Sequence, residues 1–581
     1  MSFEIAEDLS RQTSELLSRF EGRAAAFSNR EDLASFALQR DRAAAEKTAR
    51  EFFGPGEHLA TGIDGSMDFD ERLQMILFYA NATAYSCPFT VAEHLSLDLS
   101  GAYRESKMDA SAAIPLWAED LSNVLTNEPE IDIELEHSVE RIPNSFMTLG
   151  ELYLGYRACE KSRIVFMDRP LSGTYSTLSR DVRLLLRRGE TKLTRWSPDV
   201  PATLLDMKLS LSLGSPSMAV PTRGRYLHVA MLKRLLAGPA SVADLSKTLK
   251  VREAEASKAA ARLLRFDKEA GGSVLSDSAE SHLGVRDEVR GYWSRTLALS
   301  VDYASKVFSR SRHPLALKAD EYLTMLDVSA VSLFLLQGLL DRASEKRTLL
   351  VGIAKDTSAT DVARSVLPFA SAGGFLRLGS PAPMLRNDRA FLAILSAENP
   401  EIATPWRTMG YDSAFSTIAN VGGELRSARK LVSRERLFVR SYFQLRTLRS
   451  DRKVRSQVFL FDRPFGEGDE GAERQVRVKE KSGMADVGAY FEGDRLSKAS
   501  NLVLHILSMA DNPEVFEAFG HNQLLYLADK AVKAEVRMLR SSLRGVADLS
   551  AGGVSNRRKI FGLVTPYRQQ RAEAEHARMK Q

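Results

Sequence analysis

Apolar and polar positions along this chain of 581 residues follow two different periods. In the first fifty residues, apolar side chains recur at spacings of three and four, which predicts helices outside the core or in a dimer contact. Residues 58–69 (HLATGIDGSMDF) form a short apolar run into Asp-Gly-Ser, and residues 72–87 (RLQMILFYANATAYSC) follow as an adjoining strand. Because Asp-Gly is a common turn signal, this pattern predicts a hairpin with Asp64 at the end of its first strand.

Two further apolar strands end on charged residues. A helical pattern in residues 146–162 (FMTLGELYLGYRACEKS) leads directly into an apolar run that ends on Asp168. Residues 347–357 (RTLLVGIAKDT) repeat the arrangement and end on Lys355 and Asp356. Strands that alternate with helices indicate an α/β sheet, in which functional groups gather at strand ends.

Residues 221–285 differ in character from the segments on either side. Their pattern predicts one helix, a Gly-Pro break, a short helix after Ser241, a longer helix ending near Phe266, and a glycine-rich stretch suited to a wing. A helix-turn-helix places its last helix in the major groove of DNA, and here that helix carries Lys258, Arg262 and Arg265. A small helical packing insertion or a subunit contact explains the pattern equally well.

A second distinctive stretch, residues 426–455, is strongly basic. Glu435 and Asp451 are its only acids, and aromatic residues are interleaved with the arginines and lysines. Basic side chains neutralise phosphates and aromatic rings stack on unpaired bases, so the stretch is a candidate DNA contact. The solvated face of an alternating strand is the other reading. The candidate DNA-binding residues are Arg429, Lys430, Arg434, Arg436, Arg440, Tyr442 and Arg446.

Composition narrows the class of protein. Apolar residues make up 44% and charged residues 27%, close to globular averages, and a net charge of +5 on this length does not by itself imply nucleic acid. With Cys87 and Cys159 as the only cysteines, a disulfide framework is excluded, and with the polar N-terminal segment this predicts a cytoplasmic protein.

The longest apolar run, Val328–Leu340, is too short to span a membrane and predicts a buried helix. The sequence has no Gly-Lys-Ser or Gly-Lys-Thr phosphate loop, so ATP-driven movement would require a partner.

Four acids occupy positions from which they could converge: Asp64 after a strand, Glu151 on a helix, Asp168 at a strand end and Asp529 on a late helix. Each one alone is more simply a turn or surface residue. Together, their carboxylates would suit Mg²⁺ or Mn²⁺, and a pair of such ions can clamp the attacking water and the leaving oxygen of a phosphodiester.

The order of these motifs resembles the NurA nucleases, which have an RNase H-like core and work with the HerA hexameric ATPase. The resemblance covers most of the chain outside residues 221–281 and 466–471. The matching pieces are GIDGS at 62–66, the helix and strand at 150–171, LLVGIAKDT at 349–357, SYFQL at 441–445 and HNQLLYLADKAV at 521–532.

The resemblance implies an α/β fold with an RNase H-like mixed sheet flanked by helices and an inserted helical, winged-helix-like subdomain. It implies that Asp64 and Asp168 bind metal, that Glu151 is a further ligand, and that Asp529 completes the site. Lys355 would orient water or neutralise the scissile phosphate, and Asp356 would hold that lysine or touch a second metal. The predicted regions are an N-terminal helical region (1–50), the first part of the core (51–220), the insertion (221–285) and the second part of the core (286–581).

The function implied is a Mn²⁺- or Mg²⁺-dependent deoxyribonuclease with a two-metal mechanism, acting in DNA end resection, double-strand break repair or anti-phage defence. A HerA-type hexameric ATPase would be its partner, and the protein would be a homodimer whose channel is lined by the basic stretch. No membrane association is expected.

Two departures from the family pattern leave an alternative open. The segment after Asp168 reads Arg-Pro where family members often have Gly-Ser, and Asp529 stands where many members have histidine. Glu160 is an alternative to Glu151 as the further metal ligand, because it lies on the same predicted helix near the strand. A non-catalytic DNA-binding or adaptor subunit of a HerA-type complex is therefore the second hypothesis, and a transcription regulator that uses the insertion is a weaker third.

Overall fold

The computed structural model describes residues 2–553 apart from several gaps. The gaps are residues 73–74, 100–106, 126–138, 219, 221–225, 277–281, 319–320, 380–381, 384, 414, 416–417, 422–423, 428–437, 449–453, 467, 470–472, 481–482, 494 and 512–518.

The strands, numbered along the chain, belong to one large sheet and three small ones. They are β1 (Ala37–Gln39), β2 (Gly56–Arg72), β3 (Met75–Val91), β4 (Leu95–Leu97), β5 (Met108–Trp117), β6 (Ser162–Met167), β7 (Leu275–Ser276), β8 (Gly284–Val285), β9 (Ala316–Lys318), β10 (Glu321–Tyr322), β11 (Leu349–Ala354), β12 (Trp406–Thr408), β13 (Tyr411–Asp412), β14 (Ile418–Val421), β15 (Glu424–Ser427), β16 (Phe438–Gln444), β17 (Phe459–Pro464), β18 (Glu473–Glu480) and β19 (Gly483–Tyr490).

The helices are also numbered along the chain. They are α1 (Ser2–Ala25), α2 (Glu31–Ala34), α3 (Arg42–Phe53), α4 (Leu121–Val124), α5 (Arg141–Ala158), α6 (Leu171–Arg188), α7 (Leu193–Trp196), α8 (Leu204–Leu213), α9 (Leu227–Leu235), α10 (Val242–Leu249), α11 (Glu253–Glu269), α12 (Asp287–Arg290), α13 (Tyr292–Phe308), α14 (Met325–Glu345), α15 (Leu367–Ala372), α16 (Asp388–Glu398), α17 (Lys498–Met509) and α18 (Gln523–Gly553). Among the helices of the described ranges, none is long and apolar enough to cross a membrane.

The large sheet is mixed and has eleven strands in the order β1-β12-β16-β17-β11-β6-β2-β3-β4, with β13 beside β16 and β5 beside β3. The three central strands β2, β6 and β11 run parallel, and their neighbours β3 and β17 are antiparallel to them. Small sheets are formed by β14-β15-β18-β19, by β9-β10 and by β7-β8. The predicted mixed α/β sheet is thus confirmed.

Helices cover both faces of this sheet. In β6, Val165 and Met167 join the apolar core shared with α5, α13 and α14, whereas Ile164 and Phe166 face the core shared with α3, α17 and the start of α18. Successive side chains of a strand point to opposite faces, so a strand buried on both sides is apolar throughout. This explains why the runs before Asp168 and Lys355 were recognisable as strands in the sequence.

The predicted turn at Asp64-Gly65 is wrong. Strand β2 continues without interruption from Gly56 to Arg72, and Gly65 pairs with Ala82 of β3 inside the hairpin. Gly65 is needed for a different reason: a methyl group at this position would collide with the carboxylate of Glu151 and the side chain of Met147. Glycine inside a strand often marks a close approach of this kind.

The first fifty residues are helical as predicted, except that β1 joins the edge of the large sheet by pairing with β12. Among its described side chains, helix α1 leaves four large apolar ones exposed, and they recur along one face of the helix. These residues are Leu9, Leu16, Leu17 and Phe20.

Candidate functional site

The ends of β6 and β11 bring Asp168 and Lys355 next to Asp64, which lies within the adjacent strand β2. Ile63 of β2 is in register with Met167 of β6, and the Asp168 N–H donates to the Ile63 carbonyl at 2.9 Å, so Asp64 and Asp168 are the next residues of adjacent strands. Met167 is also in register with Gly352 of β11, which places Lys355 just beyond the same edge. Crevices at the carboxyl ends of parallel strands are the usual location of sites in α/β sheets.

Lys355 is the positive charge shared by the two aspartates. Its ammonium group contacts Asp168 directly and lies 3.6 Å from Asp64 Oδ2. Burial alone would lower the pKa of Lys355, but Asp168 and Asp64 outweigh that effect and raise the pKa. The lysine is therefore held as a cation against the strand ends.

Asp64 is incompletely satisfied. Its Oδ1 accepts a hydrogen bond from the Gly65 N–H at 2.7 Å, whereas its buried Oδ2 accepts none from the described residues. Burial and the neighbouring charge of Asp168 raise the pKa of Asp64 to about 9, with Lys355 acting in the opposite direction. A buried carboxyl group close to a second one keeps its proton at neutral pH unless more positive charge is supplied than one lysine provides.

Glu151 approaches the same place from helix α5. It is only 2% exposed, and its carboxylate lies against the backbone of Gly65, next to Asp64. Its partner is Arg169, the residue that follows Asp168, and burial raises the pKa of Glu151 despite that pairing. Glu160, the rival for this role, pairs with Arg342 and is half exposed, so Glu151 is the glutamate that the fold brings to the strand ends.

Helix α18 contributes Asp529, and His521 lies two residues before the helix begins. Leu524 of this helix packs directly over Gly62 of β2. Asp529 forms an ion pair with Lys533 at 2.6 Å, and its charge also raises the pKa of Lys355, which places it in the same neighbourhood. Asp356, by contrast, is exposed and pairs with Arg389.

His521 is a neighbour of this site to which the sequence interpretation assigned no role. Burial lowers its pKa, Lys355 lowers it further, and Asp168 and Asp529 act in the opposite direction. Its Nδ1 lies 2.9 Å from the Asn522 carbonyl, and its buried Nε2 has no hydrogen-bond partner among the described residues. Only its position inside the motif at 521–532 could have drawn attention to it.

The donor set has the chemistry of a hard-cation site, because it consists of carboxylate oxygens. Across the described ranges, no group of three or more His, Cys, Asp or Glu side chains stands close enough together to hold an ion as the side chains now lie. Lys355 and Arg169 instead neutralise Asp168 and Glu151. An ion bound by these acids would therefore have to replace contacts now made by the two basic side chains.

The described central part of the basic stretch, residues 438–448, is buried or partly buried. Arg429, Lys430, Arg434 and Arg436 lie outside the described residues. Arg440 is buried and binds Asp361 at 2.7 Å, and Tyr442 is fully buried with its hydroxyl 3.3 Å from Asp388.

Strand β16 is buried along its whole length, which corrects the interpretation of its alternating residues as a solvated face. Arg440 and Tyr442 are therefore unavailable to DNA in this structure, because their polar atoms face other parts of the core. Arg446 is partly buried and pairs with Asp511.

Comparison with known proteins gives only distant structural likenesses. No protein-family model and no curated protein matches the chain. Among solved structures, NurA with manganese matches at 13% identity and a TM-score of 0.34, over 93% of this chain and 98% of that one. The NurA nuclease from Sulfolobus solfataricus matches at 11% identity and a TM-score of 0.35, over 93% and 96% of the two chains. NurA bound to dAMP and manganese matches at 12% identity and a TM-score of 0.33, over 90% and 93%. Likeness at this level carries no argument about the site.

Proposed function

We propose that this protein is a metal-dependent DNA nuclease that hydrolyses phosphodiester bonds. The observation that carries the proposal is the buried Oδ2 of Asp64, which accepts no hydrogen bond from the described residues and lies beside Asp168 where the parallel strand β6 ends. A fully structural aspartate would have its oxygens satisfied. An oxygen left open next to a second carboxylate suits a ligand that carries positive charge.

Asp64, Asp168 and Glu151 would hold Mn²⁺ or Mg²⁺, with Asp529 completing the set. A pair of such ions, when bound, would activate water and stabilise the leaving oxygen of the phosphodiester. The acids sit on two core strands and two helices, and Gly65 lets Glu151 approach the strand backbone closely. Rigid elements of this kind hold a site more precisely than loops do.

Lys355 and Arg169 would serve the substrate. The Lys355 ammonium group, released from Asp168, would neutralise the scissile phosphate, a role that a flexible point charge can fill. Arg169 pairs with Glu151, so it either orients that carboxylate or turns towards a DNA phosphate. Asp529 stands where the family pattern often has histidine, and the buried His521 is the imidazole on the adjoining segment.

The core is consistent with an RNase H-like arrangement. Strands β5, β3 and β2 form an antiparallel meander, and β6 and β11 then extend it in parallel with β2, giving the order β5-β3-β2-β6-β11. In chain order these five strands are β2, β3, β5, β6 and β11. Asp64 lies on the first of them, β2, and Asp168 directly follows the fourth, β6. We propose the RNase H-like fold, the two-metal mechanism and the metal-binding roles of these acids together.

The wider role rests on the sequence motifs. They support action with a HerA-type hexameric ATPase in DNA end resection, double-strand break repair or anti-phage defence, with the ATPase supplying the movement. The exposed apolar face of α1 supports a homodimer, since an amphipathic helix is stabilised when that face is covered.

The test is cleavage of linear DNA by the purified full-length protein with Mn²⁺. Asp64→Ala and Asp168→Ala should each lower the rate by about a hundredfold or more, the scale on which removal of one charge-stabilising group acts. Asp199→Ala is the matched control, because Asp199 is exposed and makes only a long contact to Lys306. Digestion by both site variants as fast as by the parent protein would end the proposal.

A non-catalytic DNA-binding or adaptor subunit is the second candidate. The pairing of Glu151 with Arg169 favours it, because Arg169 occupies the carboxylate that an ion would need. A Mn²⁺ titration separates the two candidates. DNA binding unchanged by Mn²⁺, with no cleavage alone or with a HerA-type ATPase, would favour the adaptor.

A further inference from the structure

The insertion folds as three helices followed by a small hairpin. Helices α9, α10 and α11 come first, and β7 and β8 then pair with each other. Ala240, between α9 and α10, exchanges both backbone hydrogen bonds with Leu283 at 3.0 Å, so it adds a third edge to the hairpin. The carboxylate of Asp267 accepts the Val274 and Leu275 N–H groups at 2.8 and 3.0 Å and ties the hairpin to the end of α11. This is the order of elements in a helix-turn-helix with a wing.

Helix α11 has two distinct faces. Small apolar residues and Leu263 point into the core of the insertion, which also contains side chains of α9 and α10. The residues of the opposite face recur at spacings of three and four, and they are exposed along the length of the helix. Its residues are Ala254, Ser257, Lys258, Ala261, Arg262, Arg265 and Lys268.

The exposed face of α11 is positively charged and free of competing acids over most of its length. In the described part of the chain, Lys258, Arg262, Arg265 and Lys268 form no salt bridge with a carboxylate. Of the four acids of this helix, Glu255 binds Arg252 at 2.5 Å and Asp267 binds the hairpin backbone, whereas Glu253 and Glu269 stand at its two ends. Uncompensated positive charge on an ordered helix is suited to an anionic partner.

We infer that α11 lies in the major groove of double-stranded DNA and that the insertion holds duplex substrate for the catalytic core. The major groove is about 12 Å wide and admits an α-helix. Ala254, Ser257 and Ala261 make the N-terminal half of the face short, so the backbone can approach the groove floor there, while the basic side chains reach phosphates. The inference rests on the proposed nuclease function, since it names duplex DNA as the form in which substrate is held.

The composition of the face also indicates how DNA is recognised. It contains no Asn or Gln, the side chains that read adenine, whereas its Arg and Lys side chains can contact phosphates and guanine. Binding should therefore depend strongly on phosphates and show no preference for adenine. An acidic protein is a poorer occupant, because protein interfaces are enriched in aromatic residues and depleted in lysine at their centres.

The experiment measures binding of a 30-base-pair duplex and of single-stranded dT30 to the full-length protein in EDTA, which prevents metal-dependent cleavage. The test variant is Lys258→Ala/Arg262→Ala/Arg265→Ala. The control is Arg180→Ala/Arg183→Ala/Arg187→Ala on α6, which removes the same charge from another exposed helix face. Fluorescence anisotropy at several salt concentrations gives the affinities and the salt dependence.

The test variant should bind duplex about tenfold or more weakly, and the slope of log K against log salt should fall by roughly two to three, about 0.9 for each phosphate that is no longer neutralised. Binding of dT30 should change by less than about twofold, because a single strand offers no major groove. The α6 variant should behave like the parent protein. Circular dichroism and thermal unfolding should match among all three proteins, since every substituted residue is exposed.

Three outcomes would overturn the inference: unchanged duplex affinity, equal reductions in affinity for duplex and dT30, or equal reductions for the α11 and α6 variants. Unchanged duplex affinity would leave an acidic protein partner as the better occupant of the face. The expected result is different if the protein binds DNA but is not a nuclease. In that case Mn²⁺ produces no cleavage, while the duplex binding measured in EDTA still depends on α11.

Discussion

Two buried groups of charged residues in this protein differ in how completely their hydrogen bonds are made. The first, here called the Ser497 cluster, contains Arg407, Arg463, Asp469, Glu492 and Ser497. Arg463 binds both oxygens of Asp469 at 2.6 and 2.7 Å, and Arg407 binds both oxygens of Glu492 at the same two distances. Backbone and hydroxyl donors, including the Ser497 N–H and Oγ, complete both carboxylates.

The second group, the strand-end cluster, contains Asp64, Asp168, Lys355, Glu151 and Arg169. Here one buried oxygen of Asp64 has no hydrogen-bond partner among the described residues, and a single lysine faces two aspartates. The Ser497 cluster is also the more deeply buried, because its ion-paired side chains are at most 3% exposed, whereas Lys355 is 28% and Asp168 11% exposed. Charged side chains that pair completely and bidentately with each other have a structural role. A carboxylate oxygen without a hydrogen-bond partner, next to the ends of parallel strands, instead indicates a ligand site.

The largest expected effect is in the Ser497 cluster. Asp469→Asn should lower the free energy of unfolding by about 3–5 kcal/mol, because Arg463 would remain buried without its counter-charge. Denaturation by urea measures the change. A decrease below about 1 kcal/mol would show that this cluster is not held together by its charges, and the contrast with the strand-end cluster would disappear.

Added Mn²⁺ should act on the strand-end cluster alone. At a free concentration one hundred times its dissociation constant, Mn²⁺ should stabilise the parent protein by about 2.7 kcal/mol. Asp64→Asn should abolish most of this gain, since an amide is a weaker ligand than a carboxylate. Thermal unfolding with and without Mn²⁺ gives the comparison, and an equal gain in the variant would place the ion elsewhere.

A methyl group at position 65 should disturb the approach of Glu151. Gly65→Ala is expected to cost about 1–3 kcal/mol, the usual range for overpacking a core. Gly22→Ala is the control, because a methyl group there meets no atom within 4 Å. If Gly65→Ala were as well tolerated as the control, the close contact between Glu151 and β2 would be incorrect.

The smallest expected effect concerns the pH dependence of stability without metal. The pKa of Asp64 is raised from its ordinary 3.8 to about 9. Between these values the folded protein holds a proton that the unfolded chain has released, so stability falls as pH rises. Asp64→Asn removes this effect. Because Asp64 interacts strongly with the neighbouring charges, much of this effect is offset, and we expect a difference of about 1 kcal/mol between pH 5 and pH 8.

Urea denaturation of the parent protein and of Asp64→Asn at the two pH values measures this difference. The parent protein should lose more stability than the variant on going from pH 5 to pH 8. Identical decreases would mean that Asp64 is already ionised in the folded, metal-free protein.

The central strands were predictable from sequence because their residues are apolar on both faces, and this predicted strands ending on Asp168 and Lys355. The turn at Asp64 was predicted wrongly because the role of Gly65 depends on Glu151, which is remote in the chain. Arg440 and Tyr442 were interpreted as surface residues for the same reason, since their partners Asp361 and Asp388 lie in other segments. Local patterns contain no information about such partners.

The unbroken course of β2 has a mechanical consequence. Beyond Asp64 the strand continues for eight residues to Arg72, a distance of about 26 Å at 3.3 Å per residue. No loop interrupts this length, and β3 is paired along it. The paired strands therefore form one continuous arm between Asp64 and the far end of β2.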